Sequence, residues 1–118
     1  MKVRSLSAAA VLVLALAVVG AAAARSSATH TATIKVTAKD FSFVLSQKTV
    51  KHGRVTFMIR NAGHAPHDFA IAGHHSKTIS PGKTTSLTVT LAKKGSYPYR
   101  CTVDSHAELG MKGVLHVT

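Results

Sequence analysis

The sequence predicts an all-β fold, an antiparallel Greek-key sandwich or barrel of about seven or eight strands, and three observations carry that reading. Apolar residues recur at every second position through most of the chain. Clusters of turn-forming residues separate those runs at intervals of roughly 8 to 12 residues. The length, 118 residues, suits one domain, and no internal period marks a repeat architecture.

The first element is a leader, and it is expected not to join the fold. Lys2 and Arg4 precede an uncharged run from Ser5 to Ala24 with an apolar centre from Ala8 to Val19, and Ala21, Ala22, Ala23 and Ala24 close it. A basic start, an apolar stretch of about 7 to 15 residues and small residues at the end form a secretory signal peptide cleaved near Ala24. The alternative is an uncleaved membrane anchor, because the run approaches the roughly 20 residues that span a bilayer. Residues 25–31 then read as a short polar arm and residues 32–118 as the folded domain.

Within the domain the alternating runs are Ile34 and Val36; Phe41, Phe43 and Leu45; Val55, Phe57 and Ile59; Phe69 and Ile71; Leu87, Val89 and Leu91; Tyr97, Tyr99 and Cys101; and Leu115 and Val117. Side chains two apart on a strand share a face, so each run places one face in a core and the other in water. Turns are expected at Lys51-His52-Gly53, Asn61-Ala62-Gly63, Ala72-Gly73, Ser80-Pro81-Gly82 and Lys93-Lys94-Gly95. Asp104 to Lys112 breaks the alternation and reads as a polar loop.

Composition narrows the function. Of the 46% hydrophobic residues, 19 side chains belong to the leader, and the remainder is an ordinary soluble domain. Without the leader 13 Lys and Arg face four acids, a formal charge of +9, which predicts acidic or anionic partners and salt-dependent association. Export, and the lack of a basic helix or clustered aromatic run, weigh against nucleic acid. One cysteine excludes an intrachain disulfide scaffold.

That cysteine sits in a pattern. Taken alone it would be a small buried hydrophobe, but Cys101 ends a strand, His106 follows after four residues and Met111 after four more. His67 opens the strand Asp68 to Ile71 from a separate part of the chain. A thiolate, two imidazoles and a thioether form a soft to borderline donor set; two His and one Cys with a weak axial Met is the electron-transfer type of copper site. Zinc prefers more cysteine or a carboxylate, and hard cations prefer oxygen. Three donors on one loop must fold back on themselves, which Gly110 and Gly113 around Met111 permit.

These residues resemble the cupredoxins, the small blue copper proteins, over nearly all of the chain beyond the leader. Asp40-Phe41-Ser42-Phe43 is similar to the family's early strand, and Gly53-Arg54-Val55-Thr56-Phe57 to its G-x-V-x-F segment. Asn61 to Phe69 resembles the stretch with the first histidine ligand, Gly95 to Cys101 the G-x-Y-x-Y-x-C approach to the thiolate, and Gly110-Met111-Lys112-Gly113 the G-M-x-G strand start. The C-x4-H-x4-M interval is similar to the rusticyanin and auracyanin type and wider than plastocyanin's. Where many members carry asparagine after the first histidine this chain has Asp68, and no proline lies between Phe43 and Val50.

The resemblance implies one type 1 copper on His67, Cys101, His106 and Met111. It also implies an electron port at the edge of His106, ringed by Ala65, Pro66, Gly110 and Met111. His64 competes with His67 from three residues earlier; Pro66 and the following apolar strand favour His67. His30, His52, His74, His75 and His116 read as exposed polar residues, with an accessory metal site at His74-His75 as the alternative. Met58 reads as packing or surface, and Tyr97 and Tyr99 as core.

The function expected is an exported, monomeric one-electron carrier, periplasmic or on the cell envelope, docking acidic redox proteins and bound to the membrane only if the leader stays. Periplasmic copper binding and delivery, or an accessory role in metal uptake, is the alternative use of the same ligands. Copper enzymes of related fold need further domains and further ligands, so no enzymatic activity is expected.

Overall fold

A computed structural model describes Val3 and residues 30–118. The leader expected at 1–24 and residues 25–29 of the arm fall, Val3 apart, outside the described residues. Nine strands follow in order: β1 (Thr31–Lys39), β2 (Ser42–Leu45), β3 (Thr49–Val50), β4 (Gly53–Asn61), β5 (Ala70–Ile71), β6 (His74–His75), β7 (Thr84–Leu91), β8 (Gly95–Arg100) and β9 (Lys112–Val117). β1 takes in Thr31, the last residue assigned to the arm, which pairs with Arg54. Among the described residues no helix is long and apolar enough to cross a membrane.

The strands form two sheets, in the orders β2-β1-β4-β7 and β3-β9-β8-β5-β6. The chain passes from one sheet to the other after β2, β3, β4, β6 and β7, which makes the expected sandwich. Two pairings depart from the antiparallel expectation: β1 lies parallel to β4 over Thr31–Ala38 and Arg54–Asn61, and β3 lies parallel to β9. Alternation cannot reveal this, because side chains alternate faces in both arrangements.

Period 2 determines what each strand buries. In β4, Val55, Phe57 and Ile59 face inward with no exposed surface, while Met58 on the opposite face is 39% exposed. Ile34, Val36 and Ala38 of β1 and Val89 and Leu91 of β7 complete the inner layer of the first sheet. Phe69, Ile71, Tyr99, Cys101, Leu115 and Val117 supply the layer facing it. The predicted runs all meet here: Phe41, Phe43, Leu87 and Tyr97 pack against the core while keeping part of their surface in solvent. Phe69 is the aromatic hub, with ring centroids 4.9 Å from Phe57 and 5.3 Å from both Phe43 and Tyr99, distances at which aromatic pairs add to simple area burial.

Two glycines of the ligand loop act differently. Gly110 has φ +115°, a conformation that L side chains rarely adopt. Gly113 has no such φ; it lies opposite Tyr99 in the β8–β9 ladder, and a Cβ there would run into the Tyr99 hydroxyl. Its role is therefore space for the Tyr99 ring, not the sharp turn expected of it.

Candidate metal centre

His67, Cys101 and His106 converge at one end of the sandwich. The Cys101 Sγ lies 3.7 Å from His106 Nδ1 and 4.0 Å from His67 Nδ1, and the two Nδ1 atoms are 3.2 Å apart. All three residues are buried, with His67 wholly enclosed and His106 at 7% exposure. Their donor atoms all lie within 4.8 Å of one another. Three deprotonatable donors of soft to borderline character, facing one point out of water, suit copper and not a hard cation.

Each donor has a separate support. His67 does not open a strand, as the sequence suggested; it forms a lone antiparallel bridge with Ile79, its N–H donating to the Ile79 carbonyl at 3.2 Å and its own carbonyl accepting at 2.7 Å. β5 starts later, at Ala70. Behind His67, the buried Asn61 amide donates to the carbonyls of Ala65 and Ile79, and its oxygen accepts from the Gly63 N–H. Its donors and its acceptor are thus all used, and the turn bearing His64 to Pro66 is tied to the segment that bridges His67.

Cys101 follows directly on β8. Burial pushes its thiol pKa up, against the lowering effect of the Asp68 and Val103 backbone N–H groups. Its own N–H donates to the Met111 carbonyl at 3.0 Å, which closes the base of the loop. The loop is a series of tight turns: the His106 carbonyl accepts from both Leu109 and Met111, and the His106 N–H donates to Val103. Met111 is fully buried in the core cluster and hydrogen-bonded through its backbone to both Cys101 and His106. It therefore adds nothing to the surface around His106, contrary to the expected patch; the exposed apolar side chain of this loop is Leu109, at 63%.

Asp68 joins the two ligand-bearing segments. Its carboxylate accepts the Thr102 N–H at 2.6 Å and, at very short range, the Thr102 hydroxyl. The residue after His67 is thereby fastened to the residue after Cys101, and the carboxylate is only 4% exposed. Charge-assisted bonds of this kind are about twice as strong as neutral ones.

Two contacts had no signal in the sequence. Asp40, in the turn between β1 and β2, places Oδ1 2.7 Å from His67 Nε2. Its neighbour Phe41 packs on both imidazoles, with centroids 4.7 Å from His106 and 6.1 Å from His67. The stretch Asp40-Phe41-Ser42-Phe43 resembles an early strand of the family, but nothing in it points to the histidines, which are 26 residues and more away. His64, the competitor, is exposed and stands outside the cluster, and His74 and His75 lie exposed on β6.

Comparison with known proteins agrees with this architecture. Among solved structures the chain is similar to auracyanin B, with a TM-score of 0.65 at 18% identity over 74% of this chain and 88% of that one. It is similar to auracyanin A, a "blue" copper protein from Chloroflexus aurantiacus, with a TM-score of 0.62 at 19% identity, covering 75% of this chain and all of that one. A copper-containing nitrite reductase from Thermus scotoductus SA-01 shares the fold at a TM-score of 0.60 and 19% identity, over 75% of this chain and 28% of that one. Comparison with curated proteins finds no match. The family model of the cupredoxin-like domain matches residues 9–117, and with the site already in place the chain belongs to the cupredoxin-like family.

Proposed function

We propose that this chain is an exported one-electron carrier that holds a single copper on His67, Cys101, His106 and Met111. The observation that carries the reading is the buried convergence of Cys101 Sγ with two histidine Nδ1 atoms. The cofactor is copper, supported by that donor set within this family. Copper, when bound, supplies one-electron redox chemistry through its thiolate bond.

The chain's own residues do the rest. His67 is held by the Ile79 bridge, Cys101 by the Met111 carbonyl, and the two segments by the Asp68–Thr102 clamp. A site fixed by backbone hydrogen bonds has little freedom to rearrange as charge changes, which favours rapid transfer. Phe41 and the core exclude water from both rings, while the slight exposure of His106 leaves an edge within reach of a partner. Arg100 and Lys112, paired across β8 and β9, border Cys101 and Met111 and contribute to the basic surface that would steer an acidic redox protein.

Copper enzymes share this fold, so the carrier reading rests on the site and on the test that follows. Cyclic voltammetry of the copper-loaded protein should show a reversible one-electron couple, and the rate of electron exchange with an acidic redox protein should fall as salt rises. A colourless copper(I) complex that yields its metal readily to a chelator, with no reversible couple, would replace transport of electrons by delivery of copper.

A further inference from the structure

We propose that Asp40 is a positioning residue for His67: its carboxylate holds the imidazole as the Nε2–H tautomer, so that the Nδ1 lone pair is directed at the Cys101–His106 cluster. A neutral imidazole carries one proton, and the hydrogen bond at one nitrogen decides which nitrogen is free to ligate. On His67 the division is clear. Nε2 faces Asp40 Oδ1 at 2.7 Å, while Nδ1 faces His106 Nδ1 and Cys101 Sγ. The ring is wholly buried, and the carboxylate is the side-chain partner of its Nε2.

The carboxylate is itself held in place. The His64 N–H donates to Oδ2 at 2.8 Å and the Ala65 N–H to Oδ1 at 3.3 Å. These donors, His64 first, keep the Asp40 carboxyl below the usual carboxylate range. Gly63 provides the space: a Cβ there would overlap the Asp40 carboxylate and crowd His67 Nε2. The turn 63–65, which follows β4, thus wraps a carboxylate supplied by the turn after the neighbouring strand β1. His64 takes part through its backbone, and its neighbour Gly63 is required for its small size. Carboxylates placed behind metal-binding histidines orient the ring and raise its basicity.

The role toward copper rests on the proposed function, but the tautomer is testable without metal. Nitrogen-15 NMR of the metal-free protein should show His67 protonated on Nε2. In Asp40→Ala the Nδ1–H form should gain population, and copper affinity should fall about 10- to 100-fold. Asp40→Asn, whose amide oxygen still accepts from Nε2–H, should lie between the two. Should Asp40→Ala fail to fold, Gly63→Ala carries the test, because it displaces the carboxylate and should reproduce the tautomer change. His67 protonated on Nδ1 in the parent protein, or an unchanged tautomer and affinity in the variants, would overturn the proposal. A tautomer change in a protein that forms no reversible copper couple would support Asp40's role while refuting the carrier.

Discussion

The two sheets of this sandwich are built to different standards of regularity. In the first, β1, β4 and β7 run for eight or nine residues in unbroken register, and their inward faces are hydrocarbon up to the last residue of β4, the buried Asn61. In the second, three of the five strands are only two residues long, and its upper end is a set of turns linked by backbone and carboxylate hydrogen bonds. The donors cluster at that irregular end. A ligand must leave the pleat to aim at a common point, and a residue locked in a regular ladder points along the sheet normal like its neighbours. The first sheet thus supplies stability mainly by burial and lends the site only Asn61 and the Asp40-Phe41 turn at its end, while the second spends its polar contacts on geometry.

Substitutions should separate the two roles. The largest loss of stability is expected from Phe57→Ala, which empties the centre of the first sheet: about 3–5 kcal/mol by chemical denaturation, with the copper spectrum unchanged in the fraction that remains folded. Asp68→Ala strips the Thr102 N–H and hydroxyl of their acceptor and should cost about 1–3 kcal/mol, but with a shifted visible spectrum as well. Met111→Leu nearly conserves volume, so denaturation should change by less than about 1.5 kcal/mol, while voltammetry should show a raised potential and absorption should keep its colour. Met58→Thr, on the outer face of β4, should stay within about 0.5 kcal/mol and leave the spectrum alone. If Phe57→Ala altered the spectrum as strongly as Asp68→Ala, the division between the sheets would fail.

The same contrast explains what could be read from the sequence. Alternation identified the inward faces of β1, β4, β7, β8 and β9 because burial on one side of a pleat leaves a period of two in any order of strands. The Cys101, His106 and Met111 spacing, and the choice of His67 over His64, were readable because three donors lie on one short loop and the fourth follows a recognisable turn. The structure brings His67, Cys101 and His106 together, leaves His64 outside and buries Met111 in the core, its backbone hydrogen-bonded to Cys101 and His106. What could not be read is long-range. Asp40 meets His67 across 27 residues, Ile79 bridges it from 12 residues on, and Gly113 is small because of Tyr99 on a neighbouring strand. None of these pairs has a periodicity or a fixed spacing to betray it, and the parallel pairing of β1 with β4 leaves the same pattern as an antiparallel one would.

The central claim is that Cys101 and its two histidines form one copper site, and the most direct measurement is the visible absorption of the protein on addition of copper(II), alone and as Cys101→Ser. An intense thiolate-to-copper band saturating at one copper per chain, and absent from Cys101→Ser, is the predicted result. The same band surviving in Cys101→Ser, or no such band in the parent protein, would contradict it.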